Sequence, residues 1–315
     1  MRYTLNLQLN VEIGAKKHSD LALDWLDGMS RRLAPDVRDM LEPLPARVAR
    51  SKQRFGPLGE PGSVFGLVDY ERWSANFDIK TEERNCSKAG MAWLEEELRR
   101  EPVRKAHLWF GAFDENGHRS GDRLSLDVML LPESPDWVRL HAYIREEHFL
   151  DPVTGTDVQS QWLEALFSYA DRLNPGFGHV AYWFDDGATA FEAARWAIPL
   201  QESRHPKHTV NECRRYLRGY SWLTIVPAEL ANRLGGTAAM RDSGAFAEVR
   251  QLTAGGVWLL ATADYRDYDQ VAISRAFHVL APVLRPGLPR PRPNPPTGRP
   301  PYQLVFEDAA GRHQG

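Results

Sequence analysis

Cysteine is scarce in this sequence: Cys86 and Cys213 are the two present in 315 residues. Two thiols so far apart in a chain this long exclude a disulfide framework and read as reduced side chains of a cytoplasmic protein. Long apolar runs are missing as well. No stretch approaches the ~18 apolar residues that cross a bilayer. The segment Met1-Arg2-Tyr3-Thr4-Leu5-Asn6 alternates polar with apolar where a secretory leader is continuously apolar. The expectation is a cytoplasmic protein with no membrane partner. Neither charge sign dominates, since 39 Lys and Arg face 42 Asp and Glu for a net charge of -3. The chain as a whole is therefore no polycation built for nucleic acid. Internal repeats are absent too.

Apolar side chains are plentiful at 43%, and the ten tryptophans suit a heavily packed interior or an aromatic contact surface. The near-zero net charge hides a pattern. Residues 111–186 hold 14 Asp and Glu against 5 Lys and Arg, a balance of -9. Residues 187–300 hold 15 Lys and Arg against 9 Asp and Glu, a balance of +6. An acidic surface of this kind would draw in a basic partner, although charge blocks are also ordinary solvated faces.

Hydrophobic periodicity outlines the elements. Tyr3, Leu5, Leu7, Leu9, Val11 and Ile13 alternate with Thr4, Asn6, Gln8, Asn10 and Glu12, which predicts a half-buried strand. Ser19 or Asp20 caps a helix to Leu33 with Leu21, Trp25, Met29 and Leu33 on one side. Residues 34–63 read as loop with one helical turn. A helix is expected over 89–100, then strands over 106–113 and 122–131 joined through Asp114-Glu115-Asn116-Gly117, whose Asn-Gly favours a hairpin. A strand over 138–144 and a helix over 157–173 follow, the latter stopped by Asn174-Pro175-Gly176. Further expectations are a strand over 179–184, a helix over 188–197, a strand over 219–226, a helix over 227–234, a strand over 257–262 and a helix over 268–280. Hairpins mixed with helical crossovers indicate an α+β fold with a mixed, largely antiparallel sheet.

One domain over 1–284 is expected, with residues 1–100 as an alternative lobe, because no flexible linker interrupts it. A Pro/Arg-rich extended segment over 285–301, an edge strand over 302–308 and a disordered tail over 309–315 complete the organisation.

Local catalytic signatures fail on their spacing. His205, His208 and Cys213 match no standard zinc module, so no metal is expected. Gly219-Tyr220-Ser221-Trp222-Leu223 has Leu223 where a nucleophile elbow needs glycine. Gly176-Phe177-Gly178 precedes a strand instead of following one and is no dinucleotide loop. The basic prolines after Arg285 lack interleaved stacking aromatics, so no direct nucleic-acid contact and no cofactor is expected. Trp25, Trp93 and Trp162 lie on helix faces and read as core. Aromatic residues beside acids at strand ends, Trp109 near Asp114 and Glu115 and Trp183 near Asp185 and Asp186, suit hot spots of a protein interface.

The stretch Leu217-Arg218-Gly219-Tyr220-Ser221-Trp222-Leu223-Thr224, running into Pro227-Ala228-Glu229-Leu230 and Arg233-Leu234-Gly235-Gly236, resembles the immunity protein 52 family of bacterial polymorphic-toxin and type VI secretion systems. A related type VI immunity family is the second match. The resemblance spans about residues 105–288 and continues through Gly255-Gly256-Val257-Trp258 and His278-Val279-Leu280-Ala281-Pro282. It implies an α+β protein encoded beside a cognate toxin, a nuclease effector with a basic cleft, which it neutralises without catalysis. The motif does not mark the contacts; the -9 balance of residues 111–186 and the neighbouring tryptophans place the expected toxin contacts at Asp114, Glu115, Asp122, Trp183, Asp185 and Asp186. The alternative is an enzyme whose active site is assembled from residues distant in sequence.

Overall fold

The computed structural model describes residues 3–13, 18–42, 58–74, 78–194, 206–290 and 298–312. The fold is α+β with largely antiparallel strands, as the periodicity predicts. Contacts divide the chain into two compact units, Ile13–Ile144 and Met1–Glu12 with Arg145–Gly315. The first strand, β1 (Thr4–Glu12), belongs to the second of these.

The unit Ile13–Ile144 contains α1 (His18–Leu33), the short α2 (Pro35–Asp39), β2 (Leu41–Glu42), β3 (Val64–Trp73), β4 (Ile79–Asn85), α3 (Lys88–Arg100), β5 (Lys105–Phe113), β6 (Arg119–Leu130) and β7 (Trp137–Arg145). Strands β7, β6, β5 and β3 pair antiparallel in that order; β4 pairs β3 antiparallel and β2 pairs it parallel. The strict period of two sends Val68, Leu108, Leu126 and Ala142 to one face. That face packs under α1 and α3, where Trp93 meets Tyr70 at 5.4 Å between rings. Trp25 is fully buried, its indole N–H donating to the His141 carbonyl at 3.1 Å.

The other unit adds α4 (Glu146–Leu150), α5 (Gly155–Leu173), β8 (Phe177–Tyr182), α6 (Ala190–Ala193), α7 (Pro206–Thr209), β9 (Leu223–Val226), α8 (Ala228–Arg233), α9 (Gly236–Asp242), β10 (Glu248–Gln251), β11 (Val257–Leu260) and α10 (Gln270–Leu280). Its strands run β10-β11-β9-β8-β1, each pair antiparallel. Gly178 is required where β1, β8 and β9 press together, because a Cβ there would come within 2.7 Å of both Ile225 and Leu9. Helix α5 packs on the face carrying Leu5, Leu7 and Leu9, and its Phe167 meets Trp258 edge to face at 5.4 Å. Asn174 stops α5 in the left-handed conformation at φ 48°, in line with the expected break.

Several expectations change. β1 is not half-buried: Asn6, Gln8 and Asn10 are as buried as its leucines, because both sheet faces are covered. Strand β9 starts at Leu223 and not at 219, since the Ser221 amide and hydroxyl bond to Thr224 and to the Leu223 carbonyl and turn the chain before it enters the sheet. Residues 302–308 form no edge strand. Leu304 and Val305 are buried instead, and the Val305 amide donates to the Tyr220 hydroxyl at 2.8 Å. Within the segment 309–315, Ala309–Arg312 form a 3-10 turn with Ala309 fully buried, and 313–315 lie outside the described residues. Helix α6 covers four residues of the predicted 188–197, and positions 195–200 lie outside the described residues, as do 291–297 of the Pro/Arg segment. Among the described residues no helix is long and apolar enough to cross a membrane.

Candidate functional site

The six expected contact residues fall into two groups, one in each unit. Asp114 and Glu115 lie in the β5–β6 loop, and Asp122 sits in β6 in register with Gly111. The Asp114 carboxylate is already engaged: Oδ1 accepts from the Asn116 and His118 amides at 2.9 and 2.8 Å. It is the residue that closes the turn, helped by Gly117 at φ 72°. Glu115 is exposed. Trp109 sits within β5, meeting Phe65 edge to face at 5.1 Å. In the other unit Trp183, Asp185 and Asp186 follow β8. Trp183 is 41% exposed, and its backbone amide donates to the Thr4 carbonyl. Asp185–Gly187 is a 3-10 turn in which Asp186 takes φ 57° and Gly187 φ 70°.

Behind that turn lies a polar network that the sequence pattern did not reveal. Arg218, with a side chain 0% exposed, is its hub. Its Nε donates to Glu192 Oε1 at 2.9 Å, its Nη2 to Glu192 Oε2 at 2.8 Å and to the Gly187 carbonyl at 3.0 Å, and its Nη1 to Asn10 Oδ1 at 2.5 Å. Gln8 completes the set with its amide turned so that its nitrogen donates to the Gly187 carbonyl at 3.1 Å and its oxygen accepts from Arg218 Nη1 at 2.7 Å. Glu192 also closes a capping box with Thr189 at the start of α6 and accepts from the Thr209 hydroxyl. Thr189 in turn donates to the Arg218 carbonyl, and Gly219 is required there because a Cβ would meet the Thr189 hydroxyl at 2.7 Å. Beside Gln8 in the sheet is His179, fully buried and with neither ring nitrogen hydrogen-bonded. Burial first, and the Arg218 cation second, push its imidazole down to about 3.

In the unit Ile13–Ile144 the polar side of the strands carries a row across β3, β5, β6 and β7: Asp69, His107, Asp127 and His141. His107 Nδ1 is 2.9 Å from Asp69 Oδ2, and its Nε2 is 3.0 Å from the Ser125 hydroxyl. With the Nδ1–H tautomer this is an Asp–His–Ser hydrogen-bonded chain. Lys105 Nζ lies 3.1 Å from Asp127 Oδ1, an ion contact off the line of a hydrogen bond. Three strands contribute these groups from positions spread over 57 residues, so no local motif could have marked them. Ser125 is in register with Trp109 on one side and Tyr143 on the other. Its backbone groups therefore serve the sheet and not an oxyanion.

The remaining candidates resolve locally. Ser221 donates to the Leu223 carbonyl at 2.6 Å. Cys213 is fully buried, and burial pushes its thiol up to about 12. His205 lies outside the described residues. Among those described, no group of three His, Cys, Asp or Glu side chains is placed to hold a metal ion. The tryptophans expected in the core, Trp25, Trp93 and Trp162, are buried there.

No protein-family model matches the chain, and no curated protein matches it. Among solved structures its fold is similar to that of a Pseudomonas aeruginosa T6SS protein, PA0821. The TM-score is 0.52 and the identity 12%, over 98% of this chain and 81% of that one. At that identity the likeness is one of fold.

Proposed function

We propose that this chain is an immunity protein of the type VI secretion context, which binds and neutralises a cognate antibacterial toxin by surface complementarity. The carrying observation is the fold shared over 98% of the chain with a protein described as a T6SS protein. The finer reading, immunity, comes from the family resemblance over about residues 105–288. The internal use of the motif is consistent with this reading. Arg218, Gly219 and Ser221 are all engaged in packing or hydrogen bonds within the fold, which suits a scaffold better than a reactive centre. The protein acts in the cytoplasm, without cofactor, membrane or direct nucleic-acid contact. Its partner is the toxin encoded beside it, a nuclease whose basic cleft meets the exposed acidic loops. The test is co-purification with the product of the adjacent gene, followed by rescue of growth from its toxicity. A stable complex that restores growth is expected; a folded protein giving neither would reject the reading.

The Asp69–His107–Ser125 chain favours a second reading, an enzyme with Ser125 as nucleophile. The engagement of the Ser125 backbone in the sheet weighs against it. A fluorophosphonate probe decides. Attack by Ser125 Oγ would form an O–P bond, release fluoride and pass the serine proton to His107. No adduct at Ser125 is expected; a stoichiometric one, lost in His107→Gln, would establish the enzyme instead.

A further inference from the structure

We infer that Arg218 and Gln8 are positioning residues: from inside the fold they grip the Gly187 carbonyl and so fix the turn that presents Trp183 and Asp186 to a partner. The inference rests on the binding reading above and assigns the buried network a part in it.

Asp186 at φ 57° occupies the left-handed region, which a side chain with a Cβ enters at a cost, and Gly187 follows at φ 70°. The Gly187 amide reaches the Phe184 carbonyl at 3.3 Å, a long bond. Strain of this kind persists where the surroundings over-determine it. Here the over-determination comes from below. The Gly187 carbonyl accepts from Arg218 Nη2 at 3.0 Å and, on its other side, from the Gln8 amide at 3.1 Å. Both donors are themselves held. Glu192 takes Arg218 by two bonds, and the Gln8 backbone is locked into the β1–β8 ladder opposite His179. The upstream end of the segment is fixed as well, since the Trp183 amide donates to the Thr4 carbonyl of β1 at 2.9 Å. An exposed indole and a carboxylate are thus mounted on a base pinned at both ends. A rigid mount lowers the ordering cost that a flexible loop bears on binding. It also gives a reason for a fully buried guanidinium, which a purely apolar packing would replace without loss.

The test compares Gln8→Leu, which keeps the Arg218–Glu192 pair, with Ile273→Val, a core change in α10. Gln8→Leu removes one of the two donors to Gly187. Hydrogen exchange of the 183–188 amides in the full-length protein should speed up roughly tenfold, the effect of one lost hydrogen bond. Ile273→Val should leave that segment at the wild-type rate relative to its neighbours. Association with a catalytically silenced form of the polypeptide encoded beside this gene should weaken by about the same factor in Gln8→Leu. Unchanged exchange over 183–188 would overturn the anchoring. Faster exchange with undiminished association, while Trp183→Ala still weakens it, would overturn the link between anchoring and capture. If the wild type does not bind that polypeptide at all, the binding reading fails and the link with it, while the exchange result still decides the anchoring alone.

Discussion

Arg218 grips Glu192 through two hydrogen bonds, at 2.9 and 2.8 Å, in a pair whose side chains are 0% and 2% exposed. Each charge is tolerable because the other is present. Arg218→Met should therefore leave a buried carboxylate without its cation, holding only the Thr189 amide and Thr209 hydroxyl, and cost about 3–5 kcal/mol. Glu192→Leu should cost a similar amount by leaving the guanidinium unmatched. The double variant should be more stable than the sum of the two losses predicts, with a coupling of at least about 2 kcal/mol. Urea unfolding of the four proteins measures it. Simple additivity would mean that the pair does not act as a unit.

His179 makes stability depend on acidity. Its value falls from 6.5 to about 3 in the folded chain, first through burial and then through Arg218. A depressed folded-state value means that the unfolded chain takes up the proton first. This contribution is complete above about pH 6.5 and is lost as the pH falls toward 3, at about 1.4 kcal/mol per pH unit once well below 6.5. In His179→Leu the slope of unfolding free energy between about pH 6 and pH 4 should be shallower by nearly one proton. Parallel slopes for the two proteins would show that His179 is not the group responsible.

The two cysteines should be nearly inert while the protein is folded. Burial raises the Cys213 thiol to about 12 and the Cys86 thiol to about 11, so neither supplies much thiolate at pH 8. Iodoacetamide at that pH should modify both quickly in denaturant and neither over the same interval in buffer. Rapid labelling of native Cys213 would require an opening of the fold around it.

What the sequence made legible was periodicity. The leucines of β1, the stripe of α5 and the Asn174 stop are visible because they repeat or break a local pattern. The burial of Asn6, Gln8 and Asn10 was not visible, because alternation cannot tell a solvated polar face from one sealed by partners distant in sequence, such as Arg218. β4, with the sequence IKTEERN, has no apolar alternation; it is mostly exposed and is held by β3. The Asp69–His107–Ser125 chain is a product of register between strands, which one sequence does not specify. The acidic loop ends were legible as composition. Their separate duties, turn closure for Asp114 and a left-handed turn for Asp186, needed the backbone.

Those duties decide how the proposed toxin contacts should be probed. Reversing Asp114 to lysine would remove the acceptor for two loop amides, at 2.9 and 2.8 Å, and confound charge with turn stability. Glu115→Lys is the cleaner reversal, because Glu115 is exposed and caps nothing among the bonds described. Asp186→Asn removes charge while keeping a residue that tolerates φ 57°. Both should fold with unfolding midpoints close to wild type. If the acidic loops steer a basic toxin, each should slow association by a few-fold at low salt and by less at high salt, with little change in dissociation. Stopped-flow association at two ionic strengths separates these terms. Salt-independent association rates equal to wild type in both variants would move the interface away from these two loops.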